Sequence, residues 1–275
     1  MRRSAIVLPL LLTAALVGCV PNGDDEAGPD SLVASMPAAA DSEPNGSATV
    51  VVFLRLHVWV VEVPSGMISR SEDLWSYLDE EQVGPQRQAA LGRNGLRVGV
   101  APGEAWEDIS QILREMTGSQ IRRSQLASLP GRTLDLVLRE NAPAATIFTS
   151  REDRTLTGAD YPRGDYVLAL TATVDVHDPS FVVITAVPQI RSAREVPRYV
   201  GSGENYRLLM SGERIAFENL MFQLSLSEND IMVIGPGSQS RRTTSIGRNF
   251  LVRESEGISF EKVLVIRPEM DVTRR

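Results

Sequence analysis

The sequence is poor in histidine, cysteine and lysine, three of the side chains that commonly carry nucleophilic, proton-transfer or metal chemistry. Its 275 residues hold two histidines, His57 and His177, one cysteine, Cys19, and a single lysine, Lys262. A zinc site needs several His, Cys or carboxylate ligands at short spacings, and neither HExxH nor CxxC occurs. A serine hydrolase needs GxSxG with a distant histidine; Gly201-Ser202-Gly203 and Gly237-Ser238 do not fit that pattern. No glycine-rich phosphate loop of the Walker or dinucleotide kind is present, and no SxxK dyad is expected at Lys262. His57, between Arg55 and Trp59 in an apolar run, reads as a strand-surface residue. Asp79, Glu80 and Glu81 read as solvated charge at a helix end. One segment offers anion chemistry: GPGSQSRRTTSIGR, residues 235–248, carries Arg241, Arg242 and Arg248. It is otherwise a long mobile loop between strands. The expectation is a protein without catalytic residues, metal or cofactor.

The cysteine has a different context. Arg2 and Arg3 give a positive start, and Ala5 to Leu16 form an uncharged apolar core. That core is too short for the roughly 20 residues of a spanning helix. It ends Leu16-Val17-Gly18-Cys19, which resembles the lipobox of bacterial lipoproteins. The resemblance implies cleavage between Gly18 and Cys19, a diacylglycerol on the Cys19 sulfur and acylation of the new amino terminus. Each buried lipid methylene contributes about 0.8 kcal/mol, so two or more chains on Cys19 hold a protein at a bilayer without a membrane helix. Val20 follows the cysteine, where some bacteria read aspartate as an inner-membrane signal; the resemblance therefore implies an envelope protein facing the periplasm, more on the outer membrane than the inner. With no second cysteine, disulfides are excluded despite an oxidising compartment.

The net charge of −7 becomes more acidic once Arg2 and Arg3 leave with the leader. Such a chain is poorly suited to nucleic acid or to coating an anionic membrane. Residues 20–48 are rich in Pro, Gly, Ala, Ser and Asp and contain no basic residue. A stretch of that composition buries too little apolar surface to order itself. As a tether, 19–48 reaches roughly 30 Å.

The elements that would position any chemistry begin at TVVVFLRLHVWVVEV, a long strand with Val50, Val52, Leu54, Leu56, Val58 and Val60 on one face and Arg55 and His57 on the other. SRSEDLWSYLDEE predicts a helix with a Ser69/Glu72 capping box, and a second short helix runs from Pro85 to Leu91. Asn94-Gly95 turns the chain into a short strand. PGEAWEDISQILREMTG is the clearest helix, with Trp106, Ile109, Ile112, Leu113 and Met116 on one stripe. Strands follow near 120–126 and 132–139. Trp75 and Trp106 are expected in the core. From about residue 143 the pattern turns to strands: a hairpin over 164–190 with its turn at His177-Asp178-Pro179-Ser180, then 220–226, 231–236 and a closing strand from Lys262. The fold class is thus α+β, with a mixed α/β layer at 49–142 followed by a mainly antiparallel β domain at 143–275, behind a leader at 1–18 and the tether at 19–48.

Three stretches of the β-rich half resemble the core domain of secretins, the ring-forming outer-membrane channels. GDYVLALTATVDVHDPSFVVITAVPQI is similar to the secretin hairpin that turns and returns to a polar stop. ERIAFENLMFQLSLSENDIMVIGP is similar to the next hairpin, with Ile231 to Gly235 in place and Pro236 for the second glycine. KVLVIRPEM resembles the closing strand that ends before a proline, here Pro268. No lip-forming VPxLGxIP run lies between the hairpins. The resemblance implies self-association or pairing with envelope partners through strand edges, in a non-enzymatic structural or assembly role. The alternative is a monomeric binding module for a peptide, glycan or small ligand, with a pocket lined by Trp75 or Trp106.

Overall fold

The computed structural model describes residues 50–117, 121–151, 153–202 and 205–274. The expected leader, Gly18, Cys19 and the tether lie outside the described residues. Along the chain run β1 (Val50–Pro64), α1 (Pro85–Arg93), β2 (Leu96–Ala101), α2 (Trp106–Thr117), β3 (Arg122–Ser128), β4 (Thr133–Ala142), β5 (Ala145–Ser150) and β6 (Leu156–Tyr161). Then come β7 (Gly164–Val174), β8 (Phe181–Ser202), β9 (Asn205–Ala216), β10 (Phe222–Ser227), β11 (Ile231–Pro236), α3 (Ile246–Leu251), β12 (Val252–Ser255) and β13 (Ile258–Arg274). The α+β class holds: the sheets are antiparallel and the helices few.

One sheet has the order β2-β11-β13-β1-β3, with β12 also on β13. The second has β10-β8-β7-β4, with β9 on a later stretch of β8, and β5-β6 form a separate pair. Strands from both sides of residue 142 are hydrogen-bonded in the first sheet, and Ala48–Arg275 is one compact unit. The domain boundary expected there falls inside that unit.

Alternation in the strands explains the layers. Leu54, Leu56 and Val58 of β1 point inward with Val98, Ile234 and Leu264, and meet Leu168, Leu170, Ile184 and Leu224 of the second sheet in the main core. The odd positions Val61 and Val63 face the opposite way, where Ile109 and Leu113 of α2, Ile68, Leu74 and Trp75 cover them.

Four expectations need correction. Residues 69–81 are not a helix: only a 3-10 turn at Trp75–Tyr77 and another at Glu81–Val83 form there. Glu261, 1% exposed, captures the donors the capping box would use, accepting from the backbone N–H of Gly66 (2.7 Å), Ile68 (3.0 Å) and Ser69 (3.0 Å) and from Ser69 Oγ (2.6 Å). A local propensity gives way to a tertiary acceptor. Residues 220–236 are not a hairpin either, because β10 pairs with β8 while β11 pairs with β2 and β13. The acidic turn 228–230 carries the chain from one sheet to the other. The closing strand continues through Pro268 to Arg274. β11 pairs with β13 only as far as Ile266, so Pro268 sits on a free edge where a missing N–H breaks no ladder bond. Finally, 235–248 is not an irregular loop. It holds a 3-10 turn at Ser238–Arg241 and the start of α3, capped by the Ser245 hydroxyl accepting from Arg248 N–H (3.2 Å), with Ile246, Phe250 and Leu251 buried.

Candidate functional site

The segment 237–247 lies against the turn that joins α1 to β2. Asn94, fully buried, donates its side-chain amide to Ala90 O (2.8 Å) and Ser150 O (3.0 Å), and its Oδ1 accepts from Ser150 N–H (2.8 Å). This fastens the end of α1 to the end of β5. Gly95 follows at φ +81, a conformation that favours glycine. A Cβ on Gly247 would lie 1.8 Å from Gly95 O, so two backbones meet where no side chain fits. Gly237 N–H donates to Gly95 O (2.9 Å) and Gly247 N–H to Asn94 O (2.8 Å). The docked segment places Arg242 Nη2 on Arg93 O (2.7 Å). The turn beyond Ser150 brings Arg154, at φ +66, to the same place.

Arg93, Ser150, Arg154, Gly237 and Arg242 wall an open cleft of about 800 Å3. At one end Arg97 donates to both Glu72 oxygens (2.9 and 3.0 Å) and through Nε to Glu80 (3.1 Å), with its guanidinium 4.4 Å from the Trp75 ring centroid. The Arg97 hydrogen bonds hold the Glu72 carboxyl below its ordinary range. At the other end stand Arg93, Arg154 and Arg242, none of them ion-paired among the described residues. Among the described residues the buried Nε groups of Arg93 and Arg242 have no hydrogen-bond partner. The cleft is therefore polarised: Arg97 is neutralised and the other three guanidiniums are not.

Of the three arginines expected to form an anion loop, only Arg242 reaches the cleft. Arg241 is exposed and outside its walls, and Arg248 is ion-paired with Glu254. Arg93 and Arg154 were not foreseen. By sequence Arg93 lies just past a helix expected to end at Leu91, although the helix runs to Arg93, and Arg154 lies in a stretch with no assigned element. Glu80 is not solvated charge but an Arg97 partner. Trp75 is buried and donates its indole N–H to Ile68 O (3.2 Å), while Trp106 packs on Trp59 with centroids 4.8 Å apart. Neither lines this cleft.

The histidines and the lysine lie away from this cleft. His57 is mostly buried rather than a surface residue; its Nε2 meets Glu269, and Arg123 Nη2 donates to its Nδ1 (3.3 Å). With both nitrogens engaged, the imidazole has no free base position. His177 sits in the exposed β7–β8 turn, its backbone N–H on Asp175 Oδ1 (2.8 Å). Lys262 lines a second cleft with Arg122 and Arg139, and its ammonium donates to Leu138 O. Burial pushes the Lys262 amine below the ordinary lysine range. The SxxK spacing does occur, Ser259 to Lys262, contrary to expectation. On strand β13 an offset of three residues sends the two side chains to opposite faces, so no dyad forms. Among the described residues no cluster of three His, Cys, Asp or Glu side chains is placed to hold a metal.

One surface stands apart. Beyond a register shift at 191–195, β8 and β9 pair with each other and, among the described residues, with no other strand, from Glu195↔Gly212 to Ser202↔Asn205. This ribbon extends about 25 Å at 3.3 Å per residue. Register puts Pro197 opposite Met210 and Tyr199 opposite Leu208 on one face. Tyr199, Leu208 and Met210 are 75%, 54% and 56% exposed.

No protein-family model and no curated protein matches the chain. Among solved structures, it is similar to a chain of the cryo-EM structure of an ETEC pilotin–secretin complex, AspS–GspD, at 7% identity and a TM-score of 0.21. That alignment covers 82% of this chain and 48% of the other, so this chain spans about half its length. At that TM-score the likeness carries no argument about fold or role.

Proposed function

We propose that this chain is a lipid-anchored protein of the bacterial envelope, tethered through Cys19 on the periplasmic side, outer membrane over inner, with a non-enzymatic role in assembling a secretin-like complex. The observation that carries the assembly role is the β8–β9 arm. A two-stranded ribbon without a third strand is marginal in water, and this one presents Tyr199, Leu208 and Met210 to solvent on a single face. An exposed apolar strip of that kind marks a protein contact. The test is to compare wild type with the triple variant Tyr199→Ser, Leu208→Ser, Met210→Ser after mild crosslinking in intact cells. The wild type should retrieve itself or an envelope partner and the variant should not. A wild-type chain that sizes as a strict monomer and retrieves nothing would contradict the reading. The anchor is tested separately: Cys19→Ser should leave the membrane fraction, and persistence there would refute lipid anchoring.

A second reading, a tethered module for a small ligand, is supported by the arginine-walled cleft. Its volume lies in the range of small-molecule sites, roughly 300–1,000 Å3.

A further inference from the structure

We propose that the cleft between α1, β2 and the 237–247 segment binds a phosphate monoester carried on a polar, hydroxyl-bearing body, with Arg93, Arg154 and Arg242 holding the phosphate. The proposal rests on the binding-module reading and names its ligand class; it is independent of the β8–β9 arm.

Three features point to this chemistry. First, the charge is uncompensated and local. Arg97 consumes the two carboxylates of the cleft, Glu72 and Glu80, which leaves Arg93, Arg154 and Arg242 without an anion among the described residues. A single carboxylate balances one guanidinium, whereas a phosphate monoester brings close to two charges and three acceptor oxygens. Second, two of these guanidiniums are already stripped of water at Nε and have no partner there. An anion beside a desolvated cation is screened less than at an open surface, so the interaction is stronger. Third, part of the wall is already fastened. Arg242 is held by its bond to Arg93 O, and the backbone that carries Arg93 is tied down by the Asn94 bridge to Ser150 and by the Gly95–Gly247 contact. Less ordering of Arg242 is left to oppose binding. The rest of the wall suits a neutral polar body: Ser150, Ser238, Gln88 and Gln239 offer hydroxyl and amide groups.

The same chemistry has two sources, a soluble sugar phosphate and a phosphorylated lipid headgroup. The experiment uses the soluble folded chain in calorimetry with glucose 1-phosphate, glucose and succinate, and in flotation with phosphatidylcholine vesicles with and without phosphatidic acid. Binding of glucose 1-phosphate but not glucose supports a soluble source; flotation with phosphatidic acid vesicles alone supports a lipid source. In either arm Arg242→Gln and Arg93→Gln should each weaken binding roughly ten- to a hundred-fold, the worth of one charged hydrogen bond. Arg248→Gln, whose side chain is tied to Glu254 outside the cleft, should change it less than about two-fold. Circular dichroism of each variant separates lost binding from lost folding, and Arg154→Gln, on an exposed turn, provides a variant that keeps the fold. Preference for succinate would overturn the phosphate assignment while keeping a ligand module. Absence of binding to every probe, or equal loss in Arg248→Gln, would overturn the site.

Discussion

Replacing Glu261 by glutamine tests how this fold positions its cleft. The carboxylate is buried and is the acceptor around which residues 65–69 wrap. Oε1 takes Gly66 N–H (2.7 Å) and Ser69 Oγ (2.6 Å), and Oε2 takes Ile68 and Ser69 N–H (each 3.0 Å). An amide cannot reproduce this. Turned one way it sets its NH2 against two backbone donors; turned the other it opposes Gly66 N–H, and only the Ser69 hydroxyl can rotate to accept. At least one buried donor is left unsatisfied, costing about 1–3 kcal/mol, and the surviving bonds fall from charged to neutral strength. Relief of burying a charge offsets part of this. A net loss of about 2–4 kcal/mol is expected for Glu261→Gln. Urea unfolding followed by tryptophan fluorescence reads it directly, because Trp75 donates to Ile68 O in the same wrap. Ser69 and Glu72 line the cleft, so its acidic end should loosen as well. A midpoint unchanged from wild type, with unchanged fluorescence, would refute the role given to Glu261.

Three other outcomes follow from the same geometry. Gly95→Ala meets φ +81 and a Cβ 2.8 Å from Ser240 N, so a loss of about 2 kcal/mol or more is expected in thermal unfolding; a neutral result would mean the 237–247 segment is not docked as described. Asp165 is held below its ordinary carboxyl range, first by the Arg191 hydrogen bond and then by Asn141 N–H, so its stabilisation is full above the unfolded value of about 4 and fades as pH falls through the lower folded value; Asp165→Asn should be less stable near neutrality, with the gap closing in acid. Lys262 is pushed down by burial, so the folded state binds fewer protons than the unfolded one and stability rises as pH climbs through the lowered folded value toward the ordinary 10.5; relative to Lys262→Met, the wild type should therefore gain stability as pH is raised toward that ordinary value.

Much of the framework was legible wherever burial follows a period. The alternation of Leu54, Leu56 and Val58 and the stripe of Ile109 and Leu113 assign faces without reference to distant residues, and the structure keeps those faces. The 65–80 wrap was not legible because its organising acceptor, Glu261, lies 192 residues from Ser69. Capping signals are local, and nothing local announces a tertiary competitor. The false hairpin at 220–236 has a related cause: two apolar strands joined by a short acidic turn look alike whether they pair together or enter different sheets. For the cleft, Arg242 was visible as part of a basic run. Arg93 and Arg154 became its neighbours only through Asn94, which read as an ordinary turn residue before its side chain was seen to bridge α1 and β5.

Contact through the β8–β9 arm is tested most directly by site-specific photo-crosslinking in living cells, with a benzophenone side chain at position 199 and, as a control, at Val176 in the exposed β7–β8 turn. A discrete, partner-sized adduct from position 199 and none from 176 is the predicted result. Equal labelling at the two positions, or no adduct at 199, would contradict an assembly role carried by the arm.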